Sequence, residues 1–430
     1  MSLPAKMNTR ICLFLSVLAT GITSLYTARI LVPWNQHRGE LQDGIKTQMG
    51  DLYSPWVGAR ELLLRHRNPY GPEVSHEIQT VFYGHAITQT YQAASSITNE
   101  QRFAYPVYAV FLLAPTVFAD FEHVSPWARI AFGLLTAISV LLFLSILRWQ
   151  LSWEAVTALV LFTLSSPQIV QGLRFEQLAL VVGFLIAAAA WCVSKHHLMT
   201  AGVFLALSTI KPQMALLPLC WFAVWTAGNW SKRWRLATGF TIMMTALLAA
   251  GDLILPGWFG YFLAGIAAYR KYAPTSSLFR VALGETLGEI AGGVLVLALL
   301  LLAWHNRKAE AHSRGFITTF AAFLMGTILA FPLFTPFNQV LLILPAMLLI
   351  RDWNALPQFS RLIFIISVSW PWIVSSVLLF FPPRLDSLNQ LPLLPSFLVL
   401  FFPLLLPLLV MTRSNVESEL QPADCTLRDS

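Results

Sequence analysis

The chain has 430 residues, of which 56% are hydrophobic and only 11% are charged. Charged residues make up about 25% of an ordinary soluble domain, so this composition excludes that class and indicates a polytopic membrane protein. The net charge of +7 would favour a nucleic-acid partner in a soluble protein, but basic loops that set membrane orientation explain it here, and no nucleic-acid partner is expected.

Hydrophobic runs predict the membrane spans, since roughly 20 apolar residues cross the hydrocarbon layer. Three runs are irregular: residues 105–118 and 338–350 are short, and residues 198–227 are interrupted by Lys211 and Pro212. With the clear runs they predict an all-α protein of about twelve transmembrane helices, within a range of ten to fourteen. The clear runs are residues 10–32, 127–147, 154–170, 177–193, 235–255, 285–304, 316–331, 362–381 and 391–411.

Basic residues fall on one side of a twelve-span arrangement. By the positive-inside rule that side is cytoplasmic, which predicts a multi-pass protein of the plasma (inner) membrane with both termini inside. The first span lacks a small-residue cleavage site and is expected to remain uncleaved. The basic clusters are Lys6 with Arg10, Lys232 and Arg233 with Arg235, Arg307 and Lys308 with Arg314, and Arg351 with Arg361.

Residues 1–411 are expected to form a single transmembrane domain, followed by a polar tail at residues 412–430 that lacks an apolar face and is expected to be disordered. Most polar residues outside the membrane lie in two outward loops, residues 33–104 and residues 256–284. Any active site should therefore use these loops and the polar residues inside spans.

A short helix is predicted in the first outward loop. Ser54 is a suitable N-cap, Pro55 fits the first helical position, and Asn68 with Pro69 would end the helix. Its apolar face would lie on the membrane surface or pack on the bundle, and Glu61 would pair with Arg65 on the wetter face.

Asp51 stands just before this helix and has two interpretations. It can be a helix-start carboxylate that interacts with the helix dipole. It can also be a general base at the outer rim of the membrane, which takes the proton of an acceptor hydroxyl as that oxygen attacks a sugar carbon. Ser54 weakens the first interpretation because it already supplies a cap.

The segment from Asp51 to Arg60, with the Asn-Pro-Tyr that follows it, resembles the first-loop pattern of glycosyltransferase family 87. These are polyprenol-phosphate-mannose-dependent mannosyltransferases of the multi-spanning glycosyltransferase C superfold. The resemblance extends, in order along the chain, to Tyr105-Pro106, Gln171-Gly172, Glu176-Gln177 and Lys211-Pro212-Gln213.

The resemblance implies transfer of a hexose, with mannose favoured, from a polyprenyl-phosphate donor to a lipid or glycan acceptor on the outer face. It implies inversion at the anomeric carbon, no nucleotide donor and no cofactor, and it makes Asp51 the catalytic base. Tyr53, Trp56 and Gln213 lie in the matching motifs and are candidates for contacting the sugar or the acceptor.

Two departures from the family pattern concern later motifs. The second outward loop carries Pro-Thr-Ser-Ser at residues 274–277 where many relatives have Asn-x-Ser. Where some relatives have a histidine pair or an aspartate, this chain has Thr335-Pro-Phe-Asn-Gln339, which makes a histidine-assisted step doubtful. Asn338 and Gln339 are either sugar-binding amides or ordinary residues at a span boundary.

Lys211 is the most costly polar residue in the chain, because an unpaired lysine at the bilayer centre costs roughly 3 kcal/mol. It is either bonded to carbonyls freed by the helix break at Pro212 or a cation for the donor phosphate. Arg60 and Arg280 are further phosphate candidates, and Arg174 is expected to pair with Glu176.

No metal is expected, because the histidines lack ligand spacing and no Asp-x-Asp pair occurs. Two other functions remain open. A transporter or lipid-linked sugar flippase would also combine many spans with a broken, charged helix. A ligase that moves a whole glycan from a lipid diphosphate would be expected to carry more cations in the second outward loop.

Overall fold

The computed structural model describes residues 9–38, 49–84, 101–272, 277–331 and 335–382. Within these ranges all regular secondary structure is helical, which confirms the all-α prediction. The α-helices are α1 (Thr9–Tyr26), α2 (Val32–Arg38), α3 (Tyr53–Arg65), α4 (Pro72–Tyr83), α5 (Val110–Leu113), α6 (Phe121–Ile146), α7 (Trp153–Leu164), α8 (Pro167–Arg174), α9 (Leu178–Ser194), α10 (Leu198–Ser208), α11 (Pro212–Gly228), α12 (Trp230–Ile254), α13 (Trp258–Tyr272), α14 (Leu278–Leu283), α15 (Glu285–His305), α16 (Arg314–Ala330), α17 (Ile343–Arg351) and α18 (Gln358–Phe380).

Shorter helical turns connect several of these helices. A π-helical turn at Thr27–Leu31 joins α1 to α2, so the first membrane segment continues to Trp34. The 3-10 helices are Val107–Ala109, Ala114–Thr116, Pro336–Leu342 and Trp353–Ala355.

Five helices in the described part of the chain are long and apolar enough to cross a membrane. They are the segment Thr9–Trp34, α6, α12, α15 and α18, and the bent pair α7 and α8 makes a sixth if it is one span. Several shorter apolar helices complete the bundle. The predicted count of twelve is not confirmed, and the predicted span at residues 391–411 and the tail lie outside the described residues.

The long helices expose continuous apolar stripes at helical spacing. On α6 the exposed side chains include Trp127, Ile130, Leu134, Ile138 and Leu141. Helix α15 exposes a similar series from Leu287 to Trp304. Monomeric soluble proteins rarely expose apolar stripes of this extent, whereas hydrocarbon tails match them. The chain is therefore a multi-pass membrane protein.

Two helices form the centre of the bundle. Almost every side chain of α9 and α16 is buried. Helix α9 packs against α6 and α10, and α16 packs against α11 and α15. Because both helices are surrounded by protein, polar residues at their ends lie inside the fold rather than against lipid.

Some predicted spans are broken into two helices. The run 154–170 bends by 61° between α7 and α8. Pro167 begins α8, and the hydroxyl of Ser166 bonds to the carbonyl of Thr163 at 2.8 Å. The run 198–227 breaks before Pro212, because the residue preceding a proline is disfavoured in the α conformation. Lys211 accordingly has φ −126° and ψ 79°.

The first outward loop contains helix α3, but its start differs from the prediction. The helix begins at Tyr53 with Leu52 as N-cap, so the prediction of Ser54 as N-cap was wrong. Ser54 is buried, and its hydroxyl lies 3.4 Å from the Gln101 side-chain oxygen. Leu52 and Tyr53 pack inward, and the helix begins two residues earlier than predicted.

Helix α3 packs on the protein, against α4 and α5. The predicted pair of Glu61 and Arg65 is confirmed, at 2.8 Å. Glu61 does not lie on a wet face, however, because its side chain is buried and Arg67 also bonds it at 2.7 Å. In the second outward loop the structure describes α13 and α14.

Candidate functional site

Asp51 lies in a turn that is attached to the end of helix α8. Its backbone N–H donates to the carbonyl of Phe175 at 2.7 Å, and the carbonyl of Gly50 accepts from Tyr53 at 3.0 Å. Its carboxylate accepts a hydrogen bond from the side-chain amide of Gln177. Helix α3 has no side-chain cap, so Asp51 does not cap it.

Gln177 bridges the Asp51 carboxylate to Lys211. The Lys211 ammonium donates to the Gln177 carbonyl oxygen at 3.3 Å, and the Gln177 nitrogen donates to Asp51. The chemistry of the partners fixes this orientation of the amide, since an ammonium can only donate and a carboxylate only accepts. A negative and a positive group therefore face each other across one amide.

Lys211 is only 7% exposed and is held by side chains. Its ammonium also donates to the Asn338 side-chain oxygen at 3.0 Å and lies 4.9 Å from the centre of the Phe337 ring. No bond from this ammonium to a backbone carbonyl occurs among the described residues, so the structure does not support that interpretation. Buried amides and an aromatic ring lower the cost of burying the charge.

Asn338 is the fourth member of this polar cluster. It lies in the 3-10 helix Pro336–Leu342, is 2% exposed, and donates to the Thr335 hydroxyl at 2.5 Å. Asp51, Gln177, Lys211 and Asn338 are defined here as the central cluster; the first three lie in breaks between helices, and Asn338 lies in the 3-10 helix. The fold thus joins four segments that are far apart in sequence.

Burial raises the pKa of Asp51 from its ordinary value near 4 to about 6. The hydrogen bond from Gln177 and the positive charge of Lys211 lower this pKa, and the negative charge of Glu176 raises it further. At neutral pH the group is mainly a carboxylate with a pKa close to the working range, which is suitable for a general base.

Tyr53, Trp56 and Arg60 form a separate group on helix α3. The rings of Tyr53 and Trp56 pack against Phe121 at 5.1 and 5.3 Å between centres. The indole N–H of Trp56 donates to the Thr116 carbonyl at 3.3 Å. Arg60 lies over the Trp56 ring at 5.2 Å and 4.0 Å from an Asp120 oxygen. Both rings are buried and belong to the apolar core.

The remaining predicted residues are Gln213, Gln339 and Arg280. Gln213 is exposed at the start of α11. Gln339 is buried and lines an apolar cavity of about 150 Å³ between α7, α17 and α18. Asn338 is not among the residues that line this cavity. Arg280 pairs with Glu285 and, at 3.5 Å, with Glu289. Their predicted roles in binding substrate stay predictions.

A sequence profile of glycosyltransferase family 87 matches residues 103–336, just over half of the chain. The chain belongs to glycosyltransferase family 87. No curated protein and no solved structure matches it. The matched range includes Gln177 and Lys211, whereas Asp51 and Asn338 lie outside it.

The family assignment makes this membrane protein a glycosyltransferase, which acts on a sugar donor and an acceptor. It favours an enzyme over the transporter or flippase alternative. The family assignment alone does not specify the sugar, the donor lipid, or whether one sugar or a whole glycan is transferred. No group of three or more potential metal ligands occurs in the part of the chain that the structure describes. Metal independence of the glycosyltransferase stays a prediction.

Sequence reasoning missed Gln177 as a site residue and assigned the wrong partner to Glu176. Glu176 pairs with Arg129 of α6 at 2.8 Å. Arg174 instead lies over the Phe175 ring at 5.5 Å. Glu176 lies past the end of α8 in a left-handed backbone conformation, and its carboxylate binds α6 and not Arg174. A signal was present, since Glu176 and Gln177 immediately precede the apolar helix α9.

Proposed function

We propose that this glycosyltransferase transfers a hexose, with mannose as the favoured sugar, from a polyprenyl-phosphate donor to a hydroxyl of a lipid or glycan acceptor. The observation that carries the proposal is the Gln177 bridge, which links a partly buried carboxylate to a buried cation through one amide. Acid-base help and charge stabilisation are the two forms of assistance that such a transfer needs.

In the proposed step the acceptor oxygen attacks the anomeric carbon from the face opposite the phosphate. A bond forms between that oxygen and the carbon, the bond from the carbon to the phosphate oxygen breaks, and its electron pair leaves with the lipid phosphate. Asp51 takes the acceptor proton, and Lys211 offsets the charge of the leaving phosphate. The anomeric configuration is inverted because a single displacement occurs.

Three helices of the bundle support an outer-face location for the central cluster. Helices α9, α11 and α16 have 17 residues each. At 1.5 Å per residue each is about 26 Å long, close to the hydrocarbon thickness of roughly 30 Å. Helix α9 begins directly after Gln177, and α11 begins directly after Lys211. Helix α16 ends shortly before the segment that begins at Thr335 and carries Asn338.

The opposite ends of these helices meet the basic segments. After α9, His196 lies 6.0 Å from His312 between ring centres. After α11, Arg233 donates to the carbonyl of Arg307 at 2.7 Å. Arg314 begins α16 and lies 3.4 Å from Asp352. By the positive-inside rule, we infer that this end faces the cytoplasm and that the central cluster lies at the outer face of the plasma membrane.

The proposal is tested with Asp51→Asn in protein purified into lipid nanodiscs. Labelled polyprenyl-phosphate mannose is the donor, a membrane lipid extract supplies acceptors, and transferred label is measured. Loss of a general base should lower turnover by roughly 10² to 10⁴. The matched control is Glu122→Gln, which neutralises an exposed carboxylate at the start of α6.

Thermal unfolding establishes that the Asp51→Asn protein is folded. Full transfer by that folded variant would reject Asp51 as the base. A parallel reaction with polyprenyl-phosphate glucose tests the sugar, and a preference for glucose would reject mannose.

A further inference from the structure

Glu176 is a buried charged residue in an unusual backbone conformation. Its exposed fraction is 0%, and its φ of 53° lies in the left-handed region. A residue other than glycine is uncommon in that region because its side chain crowds the backbone, so the surrounding structure must hold it there. Such conformations concentrate at functional sites, and this one immediately precedes Gln177.

Two side chains of helix α6 hold the Glu176 carboxylate. One oxygen accepts from the Ser125 hydroxyl at 2.5 Å and from the Arg129 guanidinium at 2.8 Å. Arg129 is about half exposed, so one partner of this pair remains in contact with the surroundings. Because both partners lie on α6, the bonds tie the turn between α8 and α9 to a long helix.

The other Glu176 oxygen faces the segment that carries Asp51. A Cβ atom added to Gly50 would lie 2.6 Å from this oxygen and 3.2 Å from the carbonyl oxygen of Phe175. That approach is closer than real Cβ atoms show, so the backbone at Gly50 is packed directly on the Glu176 carboxylate. The turn at residues 174–177 therefore contacts the Asp51 segment through Glu176, Phe175 and Gln177.

We propose that Glu176 is a positioning residue that holds the turn at residues 174–177 against Asp51. Anchored on α6, it fixes the Phe175 carbonyl that binds the Asp51 backbone and the Gln177 amide that binds the Asp51 carboxylate. Glu176 does not contact the reacting atoms in this proposal. The inference rests on the proposed role of Asp51 as the base.

The charge of Glu176 gives this role a measurable consequence. Two charged groups act on Asp51 in the described structure: Lys211 lowers its pKa, and Glu176 raises it. Arg129 partly neutralises Glu176 and binds the carboxylate oxygen other than the one next to Gly50. Removing the negative charge should therefore lower the Asp51 pKa, and removing the neutralising Arg129 should raise it.

The experiment measures the titration of Asp51 directly, with no need for transfer activity. The infrared carboxyl band of protonated Asp51 is identified by its loss in Asp51→Asn, and its intensity is followed against pH in nanodiscs. Glu176→Gln keeps the shape of the side chain and should lower the midpoint, since a neighbouring like charge disfavours the Asp51 carboxylate. Arg129→Gln should raise it, and the exposed control Glu122→Gln should leave it unchanged.

Transfer assays on the same proteins separate the inference from the proposed function. Turnover measured against pH should fall at the acid end, and this fall is called the acid limb. The acid limb should move with the infrared midpoint, in opposite directions for Glu176→Gln and Arg129→Gln. Unmoved midpoints in both folded variants would overturn the positioning role even where transfer is normal. Shifted midpoints in a protein that transfers no sugar would uphold the placement of Glu176 and reject the proposed function alone.

Discussion

Replacing Lys211 by methionine is the sharpest test of the proposed phosphate cation. Methionine retains most of the length and the apolar stem of lysine but carries no charge and no donor. The substitution leaves the Gln177 and Asn338 oxygens, at 3.3 and 3.0 Å, without the ammonium that both accept from. It also removes the positive charge that lowers the Asp51 pKa.

The effect on stability should be small compared with the effect on rate. Each buried acceptor left without a donor costs about 1 to 3 kcal/mol. Removing a buried charge relieves a desolvation penalty of several kcal/mol, which offsets that cost. Losing one preorganised electrostatic group at the leaving oxygen lowers turnover by roughly 10² to 10³, equivalent to about 2.7 to 4 kcal/mol.

The assay measures initial rates from acidic to alkaline pH, with the nanodisc protein and labelled polyprenyl-phosphate mannose. Lys211→Met should lower turnover at every pH and move the acid limb upward by about one pH unit, because a neighbouring positive charge no longer favours the Asp51 carboxylate. Lys232→Met, which removes an exposed lysine of α12, is the matched control. Unchanged turnover and an unchanged acid limb in folded Lys211→Met would refute the reasoning.

Two further predictions use the same assay. In the unmodified enzyme, turnover should fall as the pH drops through about 6 and level off above it, because the base must be ionised and burial raises the pKa of Asp51 to about 6; a profile that is flat between pH 5 and 8 would contradict this. Arg280→Gln should raise the Michaelis constant for the donor more than Arg60→Gln does, if the pairs of Arg280 with Glu285 and Glu289 open to admit a phosphate. Equal and unchanged constants in both variants would remove these arginines from the donor site.

Three central-cluster residues were identified from sequence, each by a different signal. Asp51 was selected by its place in a polar outward loop and by the family 87 pattern, Lys211 as a costly cation inside a hydrophobic run, and Asn338 from a polar motif at the start of a span. Their convergence was not predictable, because it depends on how the helix breaks meet in space. Gln177 was overlooked for the same reason: its two bonds join segments that are 126 and 34 residues away in sequence.

The number of spans was harder to predict than the class of fold. A hydropathy window registers apolar length but not direction, so it reads the 61° bend between α7 and α8 as one continuous run. The predicted start of α3 was wrong because local sequence preference does not register tertiary packing. The capping preference of Ser54 is worth about 1 kcal/mol, and the burial of Leu52 and Tyr53 outweighs it.

The attachment of Asp51 to the end of helix α8 links folding to assembly of the site. The last carbonyls of a helix have no partner within that helix, and Phe175, at the end of α8, meets this need by accepting from the Asp51 backbone. The same contact presents the Asp51 side chain to Gln177, and through it to Lys211. A loop outside the family-matched range thus completes a helix end inside it, and the same contact places the Asp51 carboxylate within reach of Gln177.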